Sequence, residues 1–293
     1  MADVHAAPPA SRSMARLERA PAIATRDSFN KPSPRNDNAT SRKSAAERRF
    51  VERRREILRW LALSAVAGAV NTGAFLACQR FVSHVTGTAT LIGSDVGRWG
   101  LMSEYSLVLV CFVAGAFASA FATDSGLTRS KPLWGLSMLG VVLILSGVAI
   151  GGALGAFSAF GGSVEQTSDF TLLSLLSFSM GLLNAGFARA TKDGLRTTHL
   201  TGDATDVGVF AATAVLRLGD ARKEALINAA LRAGKLLVFI GGAATMAELA
   251  PRFGYLAFLV PAMATLAVSG SAIVRDITRL VTGDDELPEG ERV

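Results

Sequence analysis

Residues 133–164 form a run of 32 positions without a single Asp, Glu, Lys or Arg. A buried helix of a soluble domain seldom needs such a run, whereas a bilayer crossing needs about 20 consecutive apolar residues. The rest of the chain agrees: half of its residues are apolar and only 18% are charged, against about 25% in an ordinary soluble domain. The expected class is therefore an all-α, polytopic membrane helix bundle. Apolar segments at 57–79, 104–123, 133–157, 169–190, 234–250 and 254–274 read as full crossings. Two shorter pieces, 85–97 and 200–216, each carry a Thr-Gly pair at or near their start and contain carboxylates.

The net charge of +6 does not point to nucleic acid. Segment 42–59 carries eight Lys or Arg against three Glu, directly before the first apolar span. Anionic lipid holds such a juxtamembrane cluster at roughly 1 kcal/mol per basic residue, and the cluster keeps its end of the chain cytoplasmic. Arg48, Arg49, Arg53, Arg54, Arg55 and Arg59 are the expected lipid-surface contacts. Upstream, residues 1–41 hold five of the nine prolines and no sustained apolar periodicity. Such a segment buries too little surface to offset its chain entropy and is expected to be a disordered tail. Residues 276–293 are expected to form a second tail.

Residues 83–93 and 198–208 are identical at six of eleven positions: His84/His199, Thr86/Thr201, Gly87/Gly202, Ala89/Ala204, Thr90/Thr205 and Gly93/Gly208. Upstream, Gly68-Ala-Val-Asn71-Thr-Gly73 matches Gly181-Leu-Leu-Asn184-Ala-Gly186. Chance likeness between apolar helices would match Ala, Leu and Gly rather than His, Asn and Thr, and two of only three histidines occupy equivalent places. The expectation is an internal duplication: 42–56 a basic lead-in, 57–157 the first copy, 158–168 a connecting loop and 169–275 the second copy. If the two Thr-Gly pieces dip in without crossing, six crossings remain. Arg129, Lys131, Arg189, Lys192, Arg196, Arg222, Lys223, Arg275 and Arg279 then fall with the basic N-terminal segment, as the positive-inside tendency asks, leaving Arg80, Arg98 and Arg252 on the far side. Three crossings per copy make the copies inverted, a recurrent build of secondary transporters. Eight crossings with parallel copies is the alternative.

At these motifs the chain resembles the YoaK-type bacterial membrane proteins, a family of unknown function. The resemblance rests on Val70-Asn71-Thr72-Gly73-Ala74-Phe75, the stretch Phe81 to Gly87, Gly181 to Phe187, and Arg196 to Gly202, and covers roughly 57–275. That family typically carries Asn after the first Thr-Gly, where Thr88 stands here. The resemblance implies an inner-membrane location and no established activity.

Several polar residues are candidates for a substrate or ion pathway. Thr86 and Thr201 are read as N-caps, with Gly87 and Gly202 permitting close backbone approach. Two half-helix N-termini meeting near the bilayer centre would favour an anion or a polar group. Asp203 and Asp206, three apart on one helix face, and Asp95 in the first copy are ionisable groups at membrane depth, which usually face a cavity or a partner. His84 and His199 are candidate gates or proton relays. Thr90 and Thr205 share the same helices. Asn71 and Asn184 lie mid-span, where an amide usually bonds across helices. Each candidate also has a plain structural reading, as a cap, a dipole complement or interhelical glue. No cofactor or metal site is expected, since Cys78 and Cys111 lie singly in apolar segments. The chain has neither Gly-x-Ser-x-Gly nor His-Glu-x-x-His, so no enzyme is expected. A small-solute or ion transporter or channel is the leading reading, with a scaffold or lipid-interacting protein as the alternative. The small-residue stripe Ala65, Ala69, Gly73 can pack within one chain or between copies of a homo-oligomer.

Overall fold

A computed structural model describes residues 37–124, 133–162, 167–190 and 196–282. Among them the chain is all-helical: α1 (Asp37–Cys78), α2 (Val85–Ser94), α3 (Trp99–Asp124), α4 (Trp134–Ala153), α5 (Thr167–Ala190), α6 (Leu200–Leu216), α7 (Gly219–Phe253), a 3₁₀ turn (Gly254–Phe258) and α8 (Leu259–Thr282). The described residues from 49 onward form one compact unit, and 37–48 belong to a separate one. Five helical stretches are long and apolar enough to cross a bilayer, the last of them, Gly219–Thr282, holding α7 and α8 together. The fold is that of a polytopic helical membrane bundle.

Two expectations about boundaries change. Helix α1 already runs from Asp37, so residues 37–41 are helical, and the rest of the expected N-terminal tail lies outside the described residues. The expected C-terminal tail does not begin at 276, because α8 continues to Thr282 with Asp276 fully buried. The Asp276 carboxylate accepts a hydrogen bond from the Gly135 backbone N–H at 2.7 Å. It thereby satisfies one of the free amides in the first turn of α4, and that contact draws the end of α8 into the bundle.

Close helix crossings fix how the elements run. A Cβ on Gly68 would fall on the Phe239 carbonyl oxygen, and one on Gly242 on that of Ala65. In the other half of the bundle, a Cβ on Gly181 would fall on the Phe112 carbonyl oxygen and one on Gly115 on that of Phe178. So α1 crosses α7 and α5 crosses α3 through the same pair of small residues, the first long helix of each half gripping the third helix of the other half. The stripe Ala65, Ala69, Gly73 is thus used inside the chain, Gly73 lying against Met246 and Phe258. Small residues let backbones approach where lipid supplies no hydrophobic force between helices.

The register of these contacts gives direction. Along α1, Trp60 faces Arg232 and Lys235, Gly68 faces Phe239 to Ala243, and Gly73 faces Met246, so α1 and α7 run parallel. Gly181 faces Phe112 and Ala116 while Gly186 faces Ser119, so α5 and α3 are parallel too. Helices α4 and α8 are antiparallel, with Gly135 against Ala272 and Gly152 against Tyr255. Arg59, Trp134, Arg196 and Ser271 gather at one end of the bundle. Ala77, Ser158, Gly161 and Tyr255 gather at the other. The long helices of the first half therefore alternate in one sense, and their counterparts α5, α7 and α8 in the opposite sense. Helices α2 and α6 each start and finish on the side where the preceding long helix ended, and neither runs from end to end.

Candidate functional site

The breaks before the two short helices are built alike. After α1 the chain reverses at Gln79, which has the left-handed φ of 55°, and returns alongside α1. There the Asn71 side-chain oxygen accepts hydrogen bonds from the backbone N–H groups of Val82 and Ser83 and from the Ser83 hydroxyl, each at 3.1 Å. In the second half the Asn184 oxygen accepts from the N–H groups of Thr197 and Thr198 at 3.0 and 3.3 Å, and from the Thr197 hydroxyl at 3.4 Å. Each Asn sits three residues beyond its crossing glycine, so each short helix starts at depth and points outward. Non-helical backbone is tolerated at such depth when protein groups satisfy it. Asn71 and Asn184 do that.

The N-cap positions are His84 and His199, not Thr86 and Thr201, and neither imidazole makes a capping hydrogen bond. Each ring instead lies over the glycine three residues on: a Cβ would stand 2.7 Å from the His84 ring at Gly87, and 2.9 Å from the His199 ring at Gly202. The Thr-Gly pairs therefore fall inside the first turn, where Gly makes room for the ring. Thr90 and Thr205 turn their hydroxyls back to the carbonyls of Thr86 and Thr201, both at 3.0 Å. The two helix starts do not meet either, since no Cα of α2 lies within 8 Å of one in α6. The matched residues are the joints of the fold.

Chemistry gathers where the halves differ. Asp203, in the first turn of α6, is buried. Its two oxygens take one cation each: Oδ1 pairs with Arg232 Nη1 at 3.0 Å, and Oδ2 with Lys235 Nζ. Asp206, one turn on and half-buried, meets Arg232 Nε at 3.5 Å. Lys235 is 1% exposed. The buried Trp60 ring lies 5.7 Å from the Arg232 guanidinium and 5.2 Å from Lys235 Nζ, where its face attracts cations. Trp60 Nε1 donates to the Arg196 carbonyl at 3.2 Å, tying α1 to the strap before α6. Two carboxylates and two cations sum to zero charge. That balance lets the cluster exist inside an apolar bundle, because a buried charge left unpaired is costly.

Asp95 lies apart, capping the end of α2 and pairing with Arg98 at 2.9 Å. Among the expected lipid contacts, Arg53, Arg54 and Arg55 are exposed, Arg59 lies near Ser271 and over Trp134, and the side chains of Arg48 and Arg49 fall outside the described set. Sequence reasoning found the acidic half of the cluster and missed Trp60, Arg232 and Lys235. Lys235 is flanked by an apolar run, and the missed signal was Phe112-x-x-Gly115 matching Phe239-x-x-Gly242, which aligns Lys235 with Val108.

No curated protein and no solved structure matches the chain. A family model described as "Protein of unknown function (DUF1275)" matches residues 60–271, which takes in the crossing glycines and the Asp203 cluster. The chain belongs to that family of unknown function.

Proposed function

We propose that the chain is a small-solute or ion transporter of the bacterial cytoplasmic membrane, built from two inverted copies of one four-helix unit, with the Asp203–Lys235–Arg232–Asp206 cluster as its coupling site. The observation that carries this reading is the buried Lys235–Asp203 pair inside an otherwise apolar bundle. Ionisable residues at membrane depth usually mark ion paths or relays. The pairs also hold α6 against α7. A proton or cation taken up by Asp203 competes with Lys235 and Arg232 for its oxygens and loosens α6, a local charge event able to bias two arrangements of a broken helix.

Orientation is supported by charge. The exposed Arg53, Arg54 and Arg55, together with Arg196, Arg275 and Arg279, belong to one end. At the other end Arg80 pairs with Glu104 at 2.8 Å, Arg98 with Asp95, and Arg252 with Glu248. The three cations that oppose the positive-inside tendency are thus each neutralised locally. The Arg-rich end is then cytoplasmic, and its exposed arginines contact anionic headgroups. The scaffold alternative has only that basic stretch in its favour and gives the cluster no task.

The test is flux into liposomes holding purified protein, read with an internal pH dye under imposed proton, sodium and potassium gradients. Wild type should dissipate at least one gradient, and Asp203→Asn should abolish that flux while remaining folded. Wild-type liposomes as tight as empty ones, or an Asp203→Asn variant as active as wild type, would overturn the reading.

A further inference from the structure

The place in the first half that corresponds to the charged cluster is a cavity. Matching residues 83–93 to 198–208 puts Thr88 where Asp203 stands and Leu91 at Asp206, and matching Phe112-x-x-Gly115 to Phe239-x-x-Gly242 puts Tyr105 at Arg232 and Val108 at Lys235. With the long cationic side chains gone, a pocket of about 490 Å³ opens between the end of α1, α2 and α3. Phe75, Phe81, His84 and Tyr105 give it aromatic walls, and Leu91 and Val108 an aliphatic floor. Phe75 and Phe81 are stacked at 4.6 Å, and His84 stands edge-on to Phe81 at 6.0 Å. Phe75, Phe81 and Leu91 are exposed, so the pocket opens to the surface beside α2.

The electrostatics narrow the ligand. Arg80, the cation at the wall, is committed: it bonds Glu104 through Nε at 2.9 Å and Nη2 at 2.8 Å, donates to the Gln79 carbonyl at 3.1 Å, and lies 5.3 Å from the Tyr105 ring. An anion finds no free positive group there. A cation, which the rings would otherwise favour, meets that guanidinium on the same Tyr105 face. The Thr88 and Thr90 hydroxyls donate to the His84 and Thr86 carbonyls and so offer a ligand only acceptor capacity. What remains is volume within the ~300–1,000 Å³ usual for small-molecule sites, ring faces that prefer other rings, and the Gln79 amide, the His84 ring and the Tyr105 hydroxyl at the wall, which an uncharged ligand can hydrogen-bond. We propose that this pocket binds an uncharged, ring-containing small molecule, at a site distinct from the Asp203 cluster and independent of the transport reading.

The test uses the full-length chain in phosphatidylethanolamine–phosphatidylglycerol nanodiscs and an uncharged phenyl diazirine as the probe, with labelled peptides mapped by mass spectrometry. Photolabel should concentrate on α2 and on the Tyr105–Val108 turn, above the level on the exposed Phe117–Phe121 face of the same α3 helix. Excess naphthalene should displace it and decane should not. Val108→Trp should lower pocket labelling by about tenfold, equivalent to some 1.4 kcal/mol, while Val110→Trp on the exposed side of α3 leaves it unchanged. Unaltered labelling of Phe117–Phe121 in Val108→Trp shows that the variant is folded; should it misfold, naphthalene competition on wild type decides alone. Pocket labelling equal to that of the lipid face, or indifferent to naphthalene, overturns the proposal. Equal displacement by decane also overturns it, since the site would then be an acyl-chain cleft.

Discussion

Truncating the two partners of the buried pair should have unequal costs. In Lys235→Met, Asp203 loses the cation on Oδ2 but keeps Arg232 on Oδ1 at 3.0 Å. The loss is that of one charge-assisted hydrogen bond, about 1.5–3 kcal/mol. In Asp203→Asn, Lys235 is left 1% exposed beside Arg232, a like charge, with only a neutral amide oxygen and the Trp60 ring face as compensation. Removing one partner of a buried pair in this way costs about 3–5 kcal/mol. The double variant removes both charges, and Arg232 keeps Asp206 at 3.5 Å. It should be no worse than Asp203→Asn alone, giving a coupling at least as large as the Lys235→Met cost, about 1.5–3 kcal/mol, in the range of residues in contact. Unfolding by SDS in mixed micelles, followed by tryptophan fluorescence, yields all four corners of the cycle. Equal costs for the two single changes, or strict additivity in the double variant, would refute the assignment of Lys235 as a cation held by Asp203.

Other consequences can be checked individually. Asn71→Ala and Asn184→Ala each orphan two backbone amides, at about 1–3 kcal/mol, and hydrogen exchange should accelerate at Val82 and Ser83 or at Thr197 and Thr198 respectively. Asp276→Ala removes the contact to the Gly135 amide and should cost about 1 kcal/mol, as a lost helix cap does, lowering the thermal midpoint. Gly181→Leu must part α5 from the α3 backbone and should cost more than Gly93→Leu, where a side chain meets nothing within 4 Å; overpacking of this kind runs to about 1–3 kcal/mol. Single cysteines at 98 and 161 should label from one side of the membrane and at 59 and 220 from the other, on a background lacking Cys78 and Cys111.

The apolar runs made the helices legible because spanning length and lack of charge are local properties, and α6 was found at its observed bounds, 200–216. The start of α7 was not. Its residues 219–233 carry Asp220, Arg222, Lys223, Glu224 and Arg232, so hydropathy stopped short, yet the helix runs on for 35 residues, about 52 Å, in antiparallel contact with α6. The partners of Asp203 sit in and just beyond that missed stretch. No local signal links Asp203 to Lys235 at a separation of 32 residues. Their meeting depends on the hairpin that turns at Gly219, where φ is +65°, and hairpins of this kind are read from pairing rather than from composition.

The duplicated residues invited a functional reading because polar groups in an apolar helix usually serve a purpose. The contacts these residues make in the structure are those of the fold. Asn71 and Asn184 hold the returning strap, and His84 and His199 lie over Gly87 and Gly202. Gly68, Gly115, Gly181 and Gly242 let the copies interlock. A device that both halves need in order to fold has to be present in both, which is why repetition marks construction. Chemistry is free to differ, and at four matched positions it does: Asp, Asp, Arg and Lys in one half, and Thr, Leu, Tyr and Val in the other. Because the halves run in opposite directions, one charged and closed site faces one end of the bundle, while its uncharged and open counterpart faces the other. On the proposed transport reading, an inverted pair with identical sites would present the same surface at both ends and give transport no preferred direction from the sites themselves. On that reading, loss of symmetry at these four positions would supply the difference. Exchanging them between halves, with Thr88→Asp and Val108→Lys against Asp203→Thr and Lys235→Val, should therefore move the gradient-dependent step to the opposite side of the liposome, whereas a purely structural cluster would leave its sidedness unchanged.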